Sequence, residues 1–188
     1  MTPFKVVEWS ETLDLSDFYS TAHKKGFENN SSQKMLVDSL RSEKVWKVWI
    51  VYHGDIAVGS FAAHSLDFLP GYRICVRTCA FSDRLPLNNL RTTKGIIDHE
   101  NITSQIYIPV TIEHFGKNSN FYITTHPSDV GTQRAVHNVW APLMKKSGVV
   151  DLEIIKEYRG HIQHFWKFNV ENFYQKMKPN RMFAYTTR

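Results

Sequence analysis

Three consecutive strand-like segments between residues 45 and 81 constrain the fold of this chain more than any other feature. Val45–Tyr52 is dense in β-branched and aromatic residues, which favour extended backbone. His53-Gly54-Asp55 predicts a tight turn, and Ile56–Leu66 returns as the next strand. After a second turn at Pro70-Gly71, Tyr72–Phe81 forms a third strand. The run therefore predicts an antiparallel three-stranded meander, a sheet whose apolar face must be covered by other elements.

Helix and strand signals flank this meander on both sides. They predict, in chain order, a strand at Phe4–Trp9, helices beginning at Asp14–Asp17 and at Ser31-Ser32, a strand at Phe121–Thr125, a helix ending at Lys146, a hairpin of Val149–Tyr158 and His161–Phe168, and a short helix at Val170–Lys178. Small polar residues at the helix starts and glycines after the helix ends support these assignments. Residues 82–100 form a polar connection without periodicity, and connections of that length are usually functional or mobile.

The segment from 101 to 116 fits two patterns at once. Four apolar residues from Ile106 to Ile112 alternate with others, as they do in a strand. The spacing of Ile102, Ile106 and Val110 at every fourth position, followed by a glycine stop, favours a helix instead. The local sequence alone leaves both readings open.

Composition bounds the class of protein. Of the 188 residues, 42% are hydrophobic and 22% are charged, a balance typical of a globular chain, and we expect one domain over residues 1–188. No apolar window approaches the roughly 18 residues that a membrane helix needs. The N-terminal stretch lacks a basic region followed by an apolar run, and two cysteines, Cys75 and Cys79, make no disulfide framework. We expect a soluble, cytoplasmic protein with no membrane partner.

Basic residues are concentrated in the second part of the chain. Residues 1–70 carry seven Lys or Arg against nine Asp or Glu, whereas residues 71–188 carry sixteen against nine. This excess suits a phosphate-bearing ligand or an acidic partner, and it equally suits a solvated surface. A basic and aromatic sheet face, with Arg73 and Arg77 near Trp46 and Tyr72, could bind single-stranded nucleic acid. Because no run of five like charges occurs, nucleic acid is not the expected partner.

The order of elements resembles the GNAT superfamily of N-acetyltransferases from Phe4 to Phe168. Two local segments resemble the family as well: Ile50–Gly59, a hairpin that ends in a valine-glycine pair, and Lys145–Val149, a helix end before the penultimate strand. The resemblance implies a mixed α/β fold with a central twisted sheet of six or seven strands and about four helices. It also implies that Asn101–Gly116 is helical, and that acetyl-CoA enters between two parallel strands that splay apart.

The resemblance further implies which residues hold acetyl-CoA. The family binds the pyrophosphate at a glycine-rich turn, and the corresponding loop here contains the run Arg91, Thr92, Thr93, Lys94 and Gly95, with a single glycine. Side chains of that loop can still bind phosphate. Backbone amides near Cys79 and Phe81 would polarise the thioester carbonyl, and Asn138 lies at or beside the position of the family's cofactor-holding asparagine. No metal is implied.

Catalytic residues of the family are only partly matched. Met144 occupies the position where the family usually keeps a tyrosine general acid, and methionine cannot donate a proton. His126 follows the strand Phe121–Thr125, so it should reach the open edge of the sheet and act as a general base; a surface-loop histidine is the competing interpretation. His161 and His164 are three apart on a strand, which directs their rings to opposite faces and argues against a metal site.

Two functions therefore follow from the resemblance. The first is transfer of an acetyl group from acetyl-CoA to an amine on a small molecule or a protein. The second is a catalytically inactive protein of the same fold that binds a protein partner or has a structural role. The chain is also similar, more weakly, to small acetyltransferase-like proteins of marine tailed bacteriophages, which would place it in a host cytoplasm.

Overall fold

The computed structural model describes residues 3–18, 46–66, 68–69, 73–81, 102–125, 127, 136–158, 160–179 and 181–187. The predicted helix after Ser31-Ser32 and the polar connection 82–100 lie outside these residues. None of the helices within the described ranges is long and apolar enough to cross a bilayer.

Eight strands of the described residues form one sheet at the centre of the fold. The strands are β1 (Phe4–Glu8), β2 (Trp46–His53), β3 (Ile56–Ser65), β4 (Arg73–Phe81), β5 (Asn120–Thr125), β6 (Val150–Tyr158), β7 (His161–Phe168) and β8 (Tyr185–Thr187). Their order across the sheet is β6-β7-β5-β4-β3-β2-β1-β8. The pairs β4–β5 and β1–β8 are parallel and the other neighbours are antiparallel. The predicted meander is confirmed as β2, β3 and β4.

The helices of the described part are short and lie between or after the later strands. They are α1 (Ile108–Phe115), α2 (Ala141–Lys146) and α3 (Val170–Lys176). Residues 16–18 are also helical, and Asp14 Oδ1 accepts hydrogen bonds from the Ser16 hydroxyl at 2.7 Å and from its N–H at 3.1 Å. These two bonds, the hydroxyl's first, hold the pKa of Asp14 below its ordinary value. The Asp14–Asp17 helix start is thereby confirmed as far as the described residues reach.

The ambiguous segment 101–116 is helical from Ile102 onwards, as the superfamily resemblance implies. A π-helical segment, Thr103–Tyr107, precedes α1, and Gly116 ends the helix with a φ of +89°. The alternating isoleucines do not form a strand, because Ile106, Ile108 and Ile112 are all buried in the core beneath the helix. Tertiary packing has therefore outweighed the local β-propensity.

Both α1 and α2 carry a proline at their second position, and a five-residue π-helical segment precedes each of them. Pro109 follows Thr103–Tyr107, and Pro142 follows Val136–Trp140. Proline has no N–H and its ring crowds the carbonyl four residues back. A π turn bonds five residues back instead, as Ile108 N–H does to Thr103 O, and so it widens the helix where the proline enters.

The sheet has more strands than the six or seven that the sequence predicts. The additional strand is β8, in the basic C-terminal tail, and it pairs in parallel with β1 through Phe4–Tyr185 and Val6–Thr187. Phe183 stacks on Phe4 with ring centroids 5.9 Å apart, which fixes the tail against the sheet edge. A three-residue strand of this kind has no local periodicity, so only its tertiary contacts reveal it.

The two faces of the sheet are covered differently. One face packs against α1, α2 and α3, which contribute Ile112, Met144 and Phe173 to the main hydrophobic cluster. The other face holds two smaller clusters, one built on Phe18 and one on Tyr122. The helical face is therefore the one on which α1 and α2 can present side chains to the centre of the sheet.

A phenol-carboxylate contact joins β8 to α1. Tyr185 Oη donates to Glu113 Oε1 at 2.9 Å. Burial, and then the hydrogen bond to Glu113, raises the pKa of Tyr185 above its ordinary value of 10.0. The neutral phenol of Tyr185 is therefore favoured in the folded state and contributes to the free energy of unfolding. This contribution is fully present below the pKa that the tyrosine has in the unfolded chain.

We expect the free energy of unfolding to fall as the pH rises above about 10, because the unfolded chain ionises first. In Tyr185→Phe this alkaline decrease should be shallower, as measured by urea unfolding at a series of pH values. Glu113→Gln should have an effect in the same direction, since it removes the charge that opposes ionisation. A Tyr185→Phe slope identical to that of the wild type would contradict this assignment.

Candidate active site

The parallel strands β4 and β5 separate partway along their length. Their pairing runs from Arg73–Asn120 to Val76–Ile123. Beyond that pair β4 continues for five residues to Phe81 and β5 for two residues to Thr125. Because parallel strands end at the same edge, the separation opens toward the carboxyl ends of both strands, where open α/β sheets place their ligand sites.

A β-bulge lies in the part of β4 that has left β5. On its other side β4 pairs with β3, and the register shifts between Phe61–Thr78 and Ser60–Ala80, which makes Cys79 the extra residue. Bulges increase local twist and often lie beside active sites. The two β4 residues that the sequence analysis selected, Cys79 and Phe81, are thus both in the separated part of the strand.

A buried hydroxyl marks the carboxyl end of β5. Thr125 is 2% exposed and Trp166, on the neighbouring strand β7, is 6% exposed. Trp166 Nε1 donates a hydrogen bond to Thr125 Oγ1 at 2.9 Å. Since neither group has solvent available to replace this bond, it fixes the orientation of the hydroxyl.

Two histidines complete the group around this hydroxyl. His137 Nδ1 lies 2.9 Å from Thr125 Oγ1. The His137 and His164 rings are in edge-to-face contact, with centroids 4.7 Å apart and planes at 83°. Both imidazoles are partly exposed, unlike Thr125. We refer to Thr125, His137, His164 and Trp166 as the carboxyl-end cluster.

The elements that bring the cluster together are β5, β7 and the π segment before α2. Strand pairing sets Thr125 opposite His164 and Ile123 opposite Trp166, so the side chains of His164 and Trp166 lie on the same face as Thr125. The π segment Val136–Trp140 then places His137 over that face. Within the described residues no three His, Cys, Asp or Glu side chains are grouped as metal ligands would be.

Sequence reasoning did not find this cluster. Thr125 and His137 are 12 positions apart, and Thr125 and Trp166 are 41 apart, so no local motif contains them. The nearest signal was His164, which was considered only as a possible metal partner of His161. The strand register Thr125–His164 is what would have directed attention to the correct neighbour.

The residues that the sequence did select are only partly within the described ranges. Asn138 is exposed in the π segment, directly after His137. Met144 is completely buried in the main hydrophobic cluster, and it therefore packs as a core residue. His126 and the loop residues Arg91 to Gly95 lie outside the described residues.

An open groove of about 1060 Å³ lies at the opposite edge of the sheet. Asn118, which precedes β5, and Phe168, which ends β7, are among its lining residues. Of its basic residues, Lys145 pairs with Asp151 at 3.6 Å. This groove therefore lies away from the carboxyl ends of β4 and β5, where the two strands separate.

Comparison with solved structures identifies the fold. A GNAT family acetyltransferase from Elizabethkingia anophelis with acetyl-CoA bound superposes with a TM-score of 0.50 at 9% identity, covering 87% of this chain and 95% of that one. Spermidine N-acetyltransferase from Vibrio cholerae, in complex with CoA and spermine, gives a TM-score of 0.50 at 8% identity, covering 91% and 98%. No protein-family model matches the sequence, and no curated protein matches it either.

The chain has the fold of the GNAT superfamily, a mixed α/β sheet with two parallel central strands that separate toward their carboxyl ends. The resemblance stated from the sequence is confirmed at the level of the fold. Identities of 8% and 9% carry no residue-by-residue correspondence, so the roles of individual side chains have to come from this chain's own geometry.

The buried Trp166–Thr125 bond gives a direct test of the cluster geometry. Thr125→Val keeps the shape but leaves a buried indole N–H without its acceptor, which should lower the free energy of unfolding by about 1–3 kcal/mol. Trp166→Phe removes the donor as well as some packing. The double variant should be less destabilised than the sum of the two single variants, because the unsatisfied donor is then absent.

Urea unfolding of the four proteins measures this coupling, and Thr125→Ser, which retains the hydroxyl, is the matched control. Strictly additive losses would show that the Trp166–Thr125 bond makes no contribution to the folded state.

Proposed function

We propose that this protein is an N-acetyltransferase that transfers the acetyl group of acetyl-CoA to an amine. The observation that carries the proposal is the separation of β4 from β5 after the Val76–Ile123 pair. Beyond that pair, no strand among the described residues pairs with this side of β4. Backbone N–H and C=O groups that are removed from water need partners, and the amide-containing arm of coenzyme A would provide them.

Several predicted residues surround that opening in the proposed complex. Cys79 and Phe81 lie in the separated part of β4, where a backbone N–H near the bulge would donate to the thioester carbonyl oxygen and stabilise the charge that develops there. Asn138, exposed beside His137, would contact the arm of the coenzyme. The pyrophosphate would bind the Arg91–Gly95 loop through its basic and hydroxyl side chains.

The proposed reaction is direct attack of the amine nitrogen on the thioester carbonyl carbon. A carbon–nitrogen bond forms, the carbon–sulfur bond breaks, and the coenzyme leaves as a thiolate. The amine must lose a proton as it attacks, and His126, directly after β5, is the proposed general base because neutral imidazole accepts protons near pH 7.

The acceptor is proposed to be a small molecule or a protein that carries an amine. The Vibrio cholerae structure that shares this fold contains spermine, which supports a small-molecule amine as the first class to examine. The alternative function is a catalytically inactive protein that binds a partner or has a structural role. Met144, which the sequence resemblance assigns to the family's tyrosine position, is buried in the core and cannot donate a proton, and this favours the alternative.

Binding of acetyl-CoA is the test that separates the two functions. At a ligand concentration 100 times the dissociation constant, acetyl-CoA should stabilise the fold by about 2.7 kcal/mol, measured as a rise in Tm. Replacing Arg91 and Lys94 together with alanine should reduce this rise, and the reduction should be larger at low salt because screening is weaker.

The matched control is the Lys117→Ala, Lys167→Ala double variant, which removes two exposed lysines from the groove at the opposite edge and should bind acetyl-CoA normally. If the Arg91, Lys94 variant binds acetyl-CoA as tightly as the wild type does, the pyrophosphate does not bind at the Arg91–Gly95 loop. A wild type that binds neither acetyl-CoA nor CoA would favour the partner-binding function.

Loss of the proposed base should affect turnover more than binding. His126→Ala is expected to lower kcat by about two orders of magnitude or more, with little change in the acetyl-CoA dissociation constant. Thiol release with a panel of polyamines, other small amines and peptides measures the rate. His114→Ala, an exposed histidine near the end of α1, is the control, and full activity of His126→Ala would remove that residue from the mechanism.

A further inference from the structure

We propose that the open groove at the edge of the sheet where β5 begins and β7 ends is a docking site for an acidic peptide segment of a partner protein. The groove has a volume of about 1060 Å³ and lies away from the carboxyl ends of β4 and β5, so docking there does not depend on acetyl transfer. Its apolar floor, its rigid frame and the charge of its lysines together define the occupant.

The floor of the groove is the edge of the main hydrophobic cluster. Val150 is 3% exposed and Phe168 is 7% exposed, and both belong to that cluster. Val170 and Tyr174, on α3, are partly buried and pack against it. All four residues line the groove, so a ligand that enters it meets apolar surface and can bury an apolar side chain there.

Hydrogen bonds fix α3, which forms one wall of the groove, to the turn before β6. Asn169 N–H donates to Val149 O at 2.8 Å, and Asn172 Nδ2 donates to Gly148 O at 2.9 Å. Gly148 has a φ of +74°, and a Cβ at that position would meet Asn172 Nδ2 at 3.3 Å. The wall is therefore held in place before a ligand arrives, and a preformed surface loses less conformational entropy on binding.

Two lysines supply the positive charge that is available in the groove. Lys117 and Lys167 are exposed and line it, and neither forms an ion pair with any of the described residues. Lys117 Nζ lies 5.3 Å from the centroid of the Tyr174 ring, beside the apolar floor. The third lysine of the groove, Lys145, is paired with Asp151 at 3.6 Å. Carboxylates of a ligand are therefore expected to bind at Lys117 and Lys167.

The acidic residues of the groove limit which anions fit. Asp151 and Glu171 both line it, and Glu171 retains its charge because its hydrogen-bond donor, Gln175 Nε2 at 3.2 Å, is neutral. A continuous chain of phosphates would be repelled by these carboxylates. Nucleic acid also needs accessible ring faces on which bases stack, and Phe168 is almost completely buried. Separate carboxylates on either side of an apolar residue fit the groove better.

The size of the groove favours a peptide over a small molecule. Clefts that enclose small ligands have volumes of about 300–1,000 Å³ and cover most of the ligand surface, whereas this groove is open and at the upper end of that range. An extended peptide advances about 3.3 Å per residue and directs successive side chains to opposite sides. A short acidic segment can therefore place one apolar side chain on the floor while its carboxylates reach the lysines at the rim.

Fluorescence anisotropy measures the binding of labelled decapeptides, each with a central leucine and with zero to four Asp or Glu residues beside it. The protein should bind the acidic peptides more tightly than the neutral one, and this difference should shrink as salt is added. In the Lys117→Ala, Lys167→Ala variant the Kd for the acidic peptides should rise by about 2- to 30-fold, the range expected for two exposed ion pairs. The matched control is Lys5→Ala, Lys178→Ala, which removes two exposed lysines outside the groove and should bind as the wild type does.

Charge reversal and NMR test the location of the bound peptide. Lys167→Glu should weaken binding of the acidic peptides and strengthen binding of a decapeptide that carries Lys in place of each acidic residue. Addition of an acidic peptide should shift the backbone amide resonances of residues 117–119, 148–151 and 167–175. The Arg91→Ala, Lys94→Ala variant should bind the peptides normally, and saturating acetyl-CoA should not displace them.

Four results would overturn the proposal. Equal binding of acidic and neutral decapeptides by the wild type would show that the groove does not select an acidic segment. An equal loss in the Lys117, Lys167 variant and in the Lys5, Lys178 control would show attraction to the overall positive charge alone. Displacement of the peptide by acetyl-CoA would place it in the opening between β4 and β5. Tighter binding of oligothymidylate than of any acidic peptide would make the ligand a nucleic acid. Acetyl transfer is measured separately by thiol release, so its failure would leave peptide docking unaffected.

Discussion

The end of the parallel pairing between β4 and β5 is the constraint on which the rest of the structure depends. After Val76–Ile123 the two strands separate, yet each is still held by its other neighbour. Strand β4 stays paired with β3 as far as Gly59–Phe81, and β5 stays paired with β7 as far as Thr125–His164. The walls of the opening are therefore strands of the sheet itself, and groups placed on strands are positioned more precisely than groups placed on loops.

Two irregularities adapt this frame to a site. The bulge at Cys79 twists the β4 wall, and the π segment Val136–Trp140 widens the helix start that faces the β5 wall. The second irregularity has a sequence cause, because Pro142 cannot supply the N–H that a regular helix would use there. Pro142, a residue type that usually breaks helices, thus contributes to the position of His137 against Thr125. A π segment also precedes Pro109 in α1, so the same combination occurs twice in this chain.

The sequence predicted the fold where residue types act locally. The meander followed from β-branched and aromatic runs separated by turn residues, and the hairpin β6–β7 followed in the same way. The helix at residues 102–115 could be predicted only with the family resemblance, because the local sequence fits a strand and a helix equally well and burial against the sheet decides between them. Strand β8 was missed because its pairing with Phe4 and Val6 joins opposite ends of the chain, and no local property of three residues encodes such a contact.

The candidate site was less predictable than the fold, and the reason is physical. A strand opening is made by backbone geometry, so any sequence that folds this way creates it. The side chains that line such an opening are different, because every element that ends at this edge of the sheet can contribute one. Comparison of sequence positions with the family selects Met144, which is buried in the core. The hydrogen bonds of Thr125 instead identify His137 and Trp166 as its neighbours, although no sequence motif connects these residues. When identity falls to 8–9%, the hydrogen bonds at the strand ends are therefore a better guide to the chemistry than the alignment is.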